Sequence, residues 1–199
     1  SANGDNYIEF NNTVFEHTQH SHEGGVISSS SAGASNYRNY FSIENCIFHN
    51  ISCAEGSGGA IYFFYGNSDH DYNVYINNSS FTEVVSKDNG CAIYLSNHAQ
   101  NSNTITNCNF TDCRSEASSY KFVVYLNVSQ IEFTNNRMTF VDLSPNSLGF
   151  IDLTNRVTNM VFIGNYFHNS CHGEGYRSSG INKERSSSSS ETLILEDNI

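Results

Sequence analysis

Two short segments of this sequence contain side chains that could bind a metal ion. His17, His20 and His22 lie close together in sequence, and imidazole is a common ligand of transition metals. Asp69 and Asp71 flank a further histidine, and paired carboxylates can bind calcium. Both segments fall in predicted loops, where such residues are more often simply solvated. The sequence therefore predicts no metal site and no cofactor, with these five residues as the candidates if one exists.

The six cysteines could form disulfide bonds or pack as free thiols. An even number of cysteines allows a disulfide framework in an extracellular chain of this size. Local spacing favours Cys46–Cys53 and Cys108–Cys113 as the bridges. Packing as small apolar side chains is an equally good interpretation, and it suits Cys91 best, because glycine stands at the same position in neighbouring repeats. The sequence leaves both alternatives open.

The charge of the chain limits its partners. Nine Lys and Arg residues are outnumbered by 20 Asp and Glu residues, for a net charge of −11. Nucleic acids require clusters of basic side chains, so we expect no nucleic acid partner, and acidic polysaccharides are disfavoured for the same reason. The sequence contains no apolar run long enough to span a bilayer, which predicts no direct membrane insertion by this segment.

A repeat of roughly 30 residues positions all of these side chains. Its most regular part is Asn-x-x-Phe, which degenerates towards the end of the chain. The asparagine column comprises Asn12, Asn45, Asn78, Asn107 and Asn135, and the aromatic column comprises Phe15, Phe48, Phe81, Phe110 and Phe167. A fixed period in this range is typical of solenoids, in which each unit contacts only its neighbours.

Each repeat contains three short segments in which apolar residues alternate with polar ones. Ile8 and Phe10 precede the first asparagine with this spacing, and later repeats keep it. Alternation with a period of two is typical of strands with one buried face. The sequence therefore predicts an all-β fold, a right-handed parallel β-helix (solenoid) of about six coils with three short strands per coil.

The two columns have separate roles in this fold. Asparagine tolerates the left-handed conformation that a corner between strands requires, and neighbouring amides can hydrogen-bond along the stack, so the asparagines should form an inner structural ladder. The phenylalanines should stack on one another and fill the interior.

We expect residues 1–199 to form a single β-helix segment of a larger protein, which continues into further repeats of its own chain. The predicted coils span residues 8–40, 41–73, 74–103, 104–129, 130–158 and 159–192, and a seventh coil starts at 193–199. Residues 182–191, with their run of serines, are predicted to form a flexible loop.

A carbohydrate-active, pectin-lyase-like β-helix enzyme is the alternative function for such a solenoid. Enzymes of this architecture place acids on one outer face of adjacent coils. Asp112, Asp142 and Asp152 do not fall in one column of the repeat, and no column of Arg or Lys exists. The sequence therefore predicts that the protein is not an enzyme and has no catalytic residue.

Two short motifs resemble those of a known family. The block Gly58-Gly59-Ala60-Ile61, with its variant at residues 24–27, resembles the GGA-[ILV] repeat of chlamydial polymorphic membrane proteins. Residues 133–136 and 162–165 resemble the companion FxxN repeat of that family. The resemblance implies an extracellular β-helical passenger domain that acts as an adhesin. Surface proteins of some protists carry similar repeats, so a protist relative would fit as well.

The sequence thus favours an extracellular segment at the cell surface that acts as an adhesin or binding scaffold in cell attachment. Its expected partner is a host-cell surface protein or glycan. Tyr62, Tyr72 and Tyr75 are the predicted contact patch, because exposed aromatic side chains are enriched at interfaces. The alternative is that these tyrosines form an outer stack across coils, which only stabilises the sheet.

Overall fold

The computed structural model describes residues 5–21, 24–31, 38–65, 71–97, 101–116, 122–139, 149–168, 181–184 and 191–199, and their strands form three sheets. Strands are numbered in chain order. Sheet A contains β1 (Asn6–Asn11), β4 (Arg38–Glu44), β7 (Asp71–Asn77), β10 (Ser102–Thr106), β14 (Gln130–Thr134), β17 (Asn159–Ile163) and β20 (Thr192–Glu196). Sheet B contains β2 (Val14–His20), β5 (Ile47–Cys53), β8 (Ser80–Ser86), β11 (Asn109–Thr111), β12 (Arg114–Ser115), β15 (Arg137–Thr139) and β18 (Tyr166–His168). Sheet C contains β3 (Ile27–Ser31), β6 (Ile61–Tyr65), β9 (Ile93–Asn97), β13 (Phe122–Asn127), β16 (Gly149–Leu153) and β19 (Ile181–Lys183).

Neighbouring strands in every sheet come from successive coils and run parallel. Coil one consists of β1 to β3, coil two of β4 to β6, coil three of β7 to β9, coil four of β10 to β13, coil five of β14 to β16 and coil six of β17 to β19. Residues at the same place in the repeat lie opposite each other, as Ile43 does with Ile76 in sheet A and Phe48 with Phe81 in sheet B. The predicted all-β parallel solenoid with three strands per coil is confirmed.

The phenylalanine stack lies in the interior against sheet B. Ring centroids are 4.9 Å apart for Phe15 and Phe48, and 4.8 Å apart both for Phe48 and Phe81 and for Phe81 and Phe110. This distance matches the spacing of hydrogen-bonded strands, so the rings stack without any shift of the backbone. Met138 takes the next place in the column, and Phe167, which lies beyond it, packs against the ring of Phe150 at 5.1 Å.

The corner asparagines all have the left-handed conformation predicted for them. Their φ angles are 51° for Asn12, 54° for Asn45, 47° for Asn78, 54° for Asn107 and 54° for Asn135. Gly164 and Asp197 continue the column with φ angles of 65° and 51°. A left-handed residue is costly for most side chains but not for asparagine or glycine, which explains the composition of this column.

The prediction that these asparagines form an inner ladder is wrong, because their side chains are exposed. The amide of Asn78 does donate to Oδ1 of Asn45, at 2.7 Å. The amide of Asn45 instead donates to Oδ1 of Asn11, the residue before the corner, at 3.0 Å. In the same way, the amide of Asn107 donates to Oδ1 of Asn77. The left-handed residue turns the chain so that its own side chain faces solvent and the next side chain faces the interior.

The ladder inside the solenoid is formed by the residue after each corner, which we call the inner polar column. Its members are Thr13, Cys46, Ser79, Cys108, Asn136, Asn165 and Asn198. The backbone N–H of Cys108 donates to Oδ1 of Asn136 at 2.9 Å, and the N–H of Asn136 donates to Oδ1 of Asn165 at 2.9 Å. The amide of Asn136 also donates to the carbonyl of Ile105 at 2.8 Å. These bonds satisfy buried backbone groups that the strand ladders leave without partners at the corner.

Replacing Asn136 with alanine should destabilise the protein by about 2–4 kcal/mol, because the N–H of Cys108 and the carbonyl of Ile105 would both be left buried without this partner. Urea denaturation followed by circular dichroism measures the loss. The adjacent variant Asn135→Gly is the control, since glycine adopts the left-handed conformation readily at this exposed corner, and its effect should stay below about 1 kcal/mol. Equal losses in the two variants would contradict the role of the inner polar column.

Candidate functional site

The predicted contact patch is divided between two environments. Tyr72 is fully buried, and its hydroxyl donates to the carbonyl of Ser96 at 2.8 Å. It faces inward because it lies on the same side of β7 as Val74 and Ile76, so its assignment to an exposed patch is wrong. Tyr75 points outward from the same strand and is 39% exposed.

Tyr62 belongs to a stack on the outer side of sheet C, which is the alternative that the sequence left open. Its ring lies 5.0 Å from that of Tyr94, whose ring lies 4.6 Å from that of Tyr125. Tyr62 is only 8% exposed, so it offers little surface to a partner. The same column continues with Asp152 and Asn182 in coils five and six.

A carboxylate lies at the end of this tyrosine stack. Asp152 is 5% exposed and accepts a hydrogen bond of 2.7 Å from the amide of Asn182. Burial raises the pKa of Asp152 above its ordinary value, the hydrogen bond from Asn182 opposes this shift, and the negative charge of Glu184 adds to it. The pKa of Tyr125 is also raised, mainly by burial, with contributions from Tyr94, Asp152 and Glu184.

Glu184 was missed as a site residue because the predicted flexible loop included it. Two residues of the predicted loop, Asn182 and Lys183, lie in β19, which pairs with β16. Lys183 donates through Nζ to the carbonyl of Thr154 at 3.1 Å and to the carbonyl of Glu184 at 2.9 Å. The rest of the predicted loop, residues 185–190, lies outside the described residues. Glu184 follows β19 directly, and its charge acts on the carboxyl of Asp152.

A second group of tyrosines lies on the outer side of sheet A. The rings of Tyr7 and Tyr40 stack in parallel, with centroids 4.8 Å apart and planes at 8°. Tyr7 is 73% exposed, and Tyr75 of coil three lies further along the same face. Sequence reasoning missed Tyr7 and Tyr40, although both stand five residues before a corner asparagine. The side chains two and four residues before that asparagine point inward, so the alternation along the strand predicts that the fifth points outward.

The metal-binding candidates are not brought together. His17 and His20 lie in β2 rather than in a loop, and His17 has a φ angle of 51° and bonds the exposed Asn50 at 2.8 Å. His20 is half-buried and lies opposite the buried Cys53 in the next strand. His22 and Asp69 lie outside the described residues, and Asp71 begins β7. Within the part of the chain that the structure describes, no group of three potential metal ligands forms.

The cysteines of the described segments are buried and form no disulfide bond with one another: Cys46, Cys53, Cys91, Cys108 and Cys113. The predicted bridges Cys46–Cys53 and Cys108–Cys113 are wrong in this structure, because β5 lies between the first pair and β11 between the second. At about 3.3 Å per residue, the seven residues of β5 span about 23 Å and the three of β11 alone about 10 Å, whereas a disulfide needs Cα atoms within about 7 Å of each other. Burial raises the pKa of Cys108 and of Cys113 to about 12. Burial also raises the pKa of Cys91 well above its ordinary value.

Comparison with known proteins gave no match to this chain. No protein-family model matches it, and no curated protein and no solved structure shows significant similarity to it. The described residues also contain no helix that is long and apolar enough to cross a membrane.

The buried thiols should react slowly with a disulfide reagent such as dithiobis(nitrobenzoate) in the native protein, because burial keeps the reagent away from them. At Cys91, Cys108 and Cys113 a raised pKa also suppresses the reactive thiolate. In denaturant without reductant, at least five thiols per chain should react rapidly. A parallel sample treated with reductant gives the total number of thiols per chain. A count below five in the untreated sample would show that bridges form after all.

The variant Asp152→Asn should gain stability relative to the natural protein as the pH rises above 3.8, the ordinary pKa of the group. Above that value the unfolded chain ionises at Asp152 while the folded chain still holds the proton, so the natural protein loses stability until its raised pKa is passed. Urea midpoints at about pH 3 and about pH 7 measure the difference. The exposed Asp88→Asn is the control, and an equal pH dependence in both variants would contradict the buried position of Asp152.

Proposed function

We propose that this chain is an extracellular, cell-surface β-solenoid that acts as an adhesin or binding scaffold in cell attachment. The observation that carries the proposal is the outer face of sheet A, where parallel strands of successive coils present exposed tyrosines among polar and acidic side chains. Solenoids typically engage their partners through extended surfaces of this kind. The expected partner is a host-cell surface protein or glycan, and the net charge of −11 disfavours nucleic acid.

The short motifs support a relation to proteins of the chlamydial polymorphic membrane type, because their residues have definite structural roles here. In the two FxxN segments, Phe133 and Phe162 are buried in the core, and Asn136 and Asn165 belong to the inner polar column. In the GGA-[ILV] block, a Cβ atom at Gly59 would lie 2.5 Å from the carbonyl oxygen of Cys91. Both motifs thus reflect what a tightly stacked coil requires. The β-helical fold that the resemblance implies agrees with this solenoid and supports a similar placement at the cell surface.

A carbohydrate-active enzyme is the second candidate, and one observation favours it. Glu184, directly after the last strand of sheet C, lies close enough to Asp152 for its charge to raise the pKa of that group. Glycoside hydrolases use a pair of carboxylates, one of which is kept protonated as the general acid by its surroundings. The half-buried Tyr125 next to Asp152 in the same column could border a bound sugar.

Binding to whole cells and turnover of neutral glycans distinguish the two functions. We expect the purified protein to bind a panel of cultured host cells in a saturable manner and to release no reducing ends from neutral polysaccharides. The double variant Asp152→Asn/Glu184→Gln is the matched control, and its binding to cells should be unchanged. Turnover that this variant abolishes, together with no cell binding, would replace the attachment role with the enzymatic one.

A further inference from the structure

The outer side of sheet A in coils one to three presents three columns of side chains to solvent, which we call the tyrosine face. Its members are Tyr7, Tyr40 and Asn73, then Glu9, Ser42 and Tyr75, and finally Asn11, Glu44 and Asn77. They point outward because the alternate residues of the same strands, such as Phe41 and Ile43, are buried.

Three aromatic side chains give this face its apolar surface. The stacked pair Tyr7 and Tyr40 lies across coils one and two, and Tyr75 stands in coil three, opposite Ser42. Tyr75 and Tyr40 are therefore diagonal neighbours on adjacent strands, within reach of one elongated ligand. Aromatic rings that are partly exposed on a rigid strand bind a ligand with little loss of conformational entropy.

The polar side chains between the tyrosines are held in fixed orientations. Oδ1 of Asn73 accepts the backbone N–H of Ser102 at 3.0 Å, and Oδ1 of Asn77 accepts the amide of Asn107 at 2.9 Å. The hydroxyl of Ser42 donates to Oε1 of Glu44 at 3.0 Å. Amides and hydroxyls that are already oriented lose little entropy when they bond a ligand.

The charge of the face indicates which ligand chemistry it suits. Glu9 and Glu44 both lie on it, whereas Arg38, at the start of β4, is the one basic side chain among the described residues of β1, β4 and β7. This arrangement lacks the basic cluster that sulfated, phosphorylated or uronic acid groups would need. Sugar hydroxyls both donate and accept hydrogen bonds, and the polar groups of the face can serve them in both ways.

We propose that the tyrosine face binds neutral glycans, with Tyr7, Tyr40 and Tyr75 as the stacking surfaces and the neighbouring amides, hydroxyls and carboxylates as hydrogen-bonding partners of the sugar. This inference rests on the proposed role in attachment and names the ligand class for it. It assigns recognition to coils one to three of sheet A and none to the stacked tyrosines of sheet C.

Titration of the protein with neutral oligosaccharides selected on a glycan array tests the assignment. The double variant Tyr40→Ser/Tyr75→Ser should weaken binding about tenfold, and Tyr75→Ser alone about threefold. Phe64→Ser is the matched control, because Phe64 is also 39% exposed but lies on sheet C. The affinity of the Phe64→Ser variant for the oligosaccharides should change less than about twofold. Thermal melting verifies that each variant is folded, and equal losses in the control and the double variant would overturn the assignment.

Cells whose glycans have been removed enzymatically separate this inference from the broader function. Loss of binding after glycan removal, and an equal loss with the double variant on untreated cells, is the expected result. Unchanged binding to glycan-free cells, still sensitive to the tyrosine changes, would overturn the glycan inference in favour of a protein partner and leave the attachment role standing. Competition by a lysine-rich peptide but not by neutral oligosaccharides would overturn it as well. Binding to oligosaccharides without any binding to cells would refute the attachment role alone.

Discussion

The left-handed residue at the corner between sheets A and B is the constraint on which the rest of the structure depends. It recurs once in every coil, from Asn12 to Asp197, with nearly the same φ angle. Because it turns the chain sharply, the next side chain enters the interior, and the phenylalanine two residues further on meets its counterpart in the coil above. The inner polar column and the aromatic stack therefore follow from one backbone conformation, repeated in register.

The inner polar column also explains residues that look unrelated in the sequence. Cys46, Ser79 and Cys108 occupy places that asparagine takes in later coils, and each bonds a neighbouring carbonyl, as Cys108 does with Thr106 at 3.2 Å. A thiol in this column fills the space of a small apolar group and is also a weak donor. Cys46 and Cys108 are thus members of a packing column, and disulfide chemistry is not needed to account for their positions.

The sequence predicts the fold well because large apolar residues recur with two periods. They recur about every 30 residues, which indicates the coils, and at every second residue within a segment, which indicates the strands. The sequence predicts less well whether a given side chain points inward or outward, because a shift of one residue along a strand reverses the answer. Tyr72 shares the parity of Val74 and Ile76, so its burial could have been inferred from the same alternation that predicted β7. The inner polar column was harder to find, since threonine, cysteine, serine and asparagine share size and polarity rather than identity. The run of serines after Glu184 led to the prediction of a loop that included it. Local composition does not reveal that the residues just before Glu184 pair with a strand of the preceding coil.

The hydrogen bonds of the inner polar column have a direction along the solenoid. The N–H of Cys46 donates to Ser79, that of Cys108 to Asn136, and that of Asn165 to Asn198, so coils two, four and six each rely on a side chain of the coil that follows in the chain. The C-terminal end of an incomplete solenoid is therefore a coil whose corner N–H groups lack the side-chain acceptors that the next coil supplies. Addition of that coil satisfies these donors, which makes this end a specific docking surface for the following repeat.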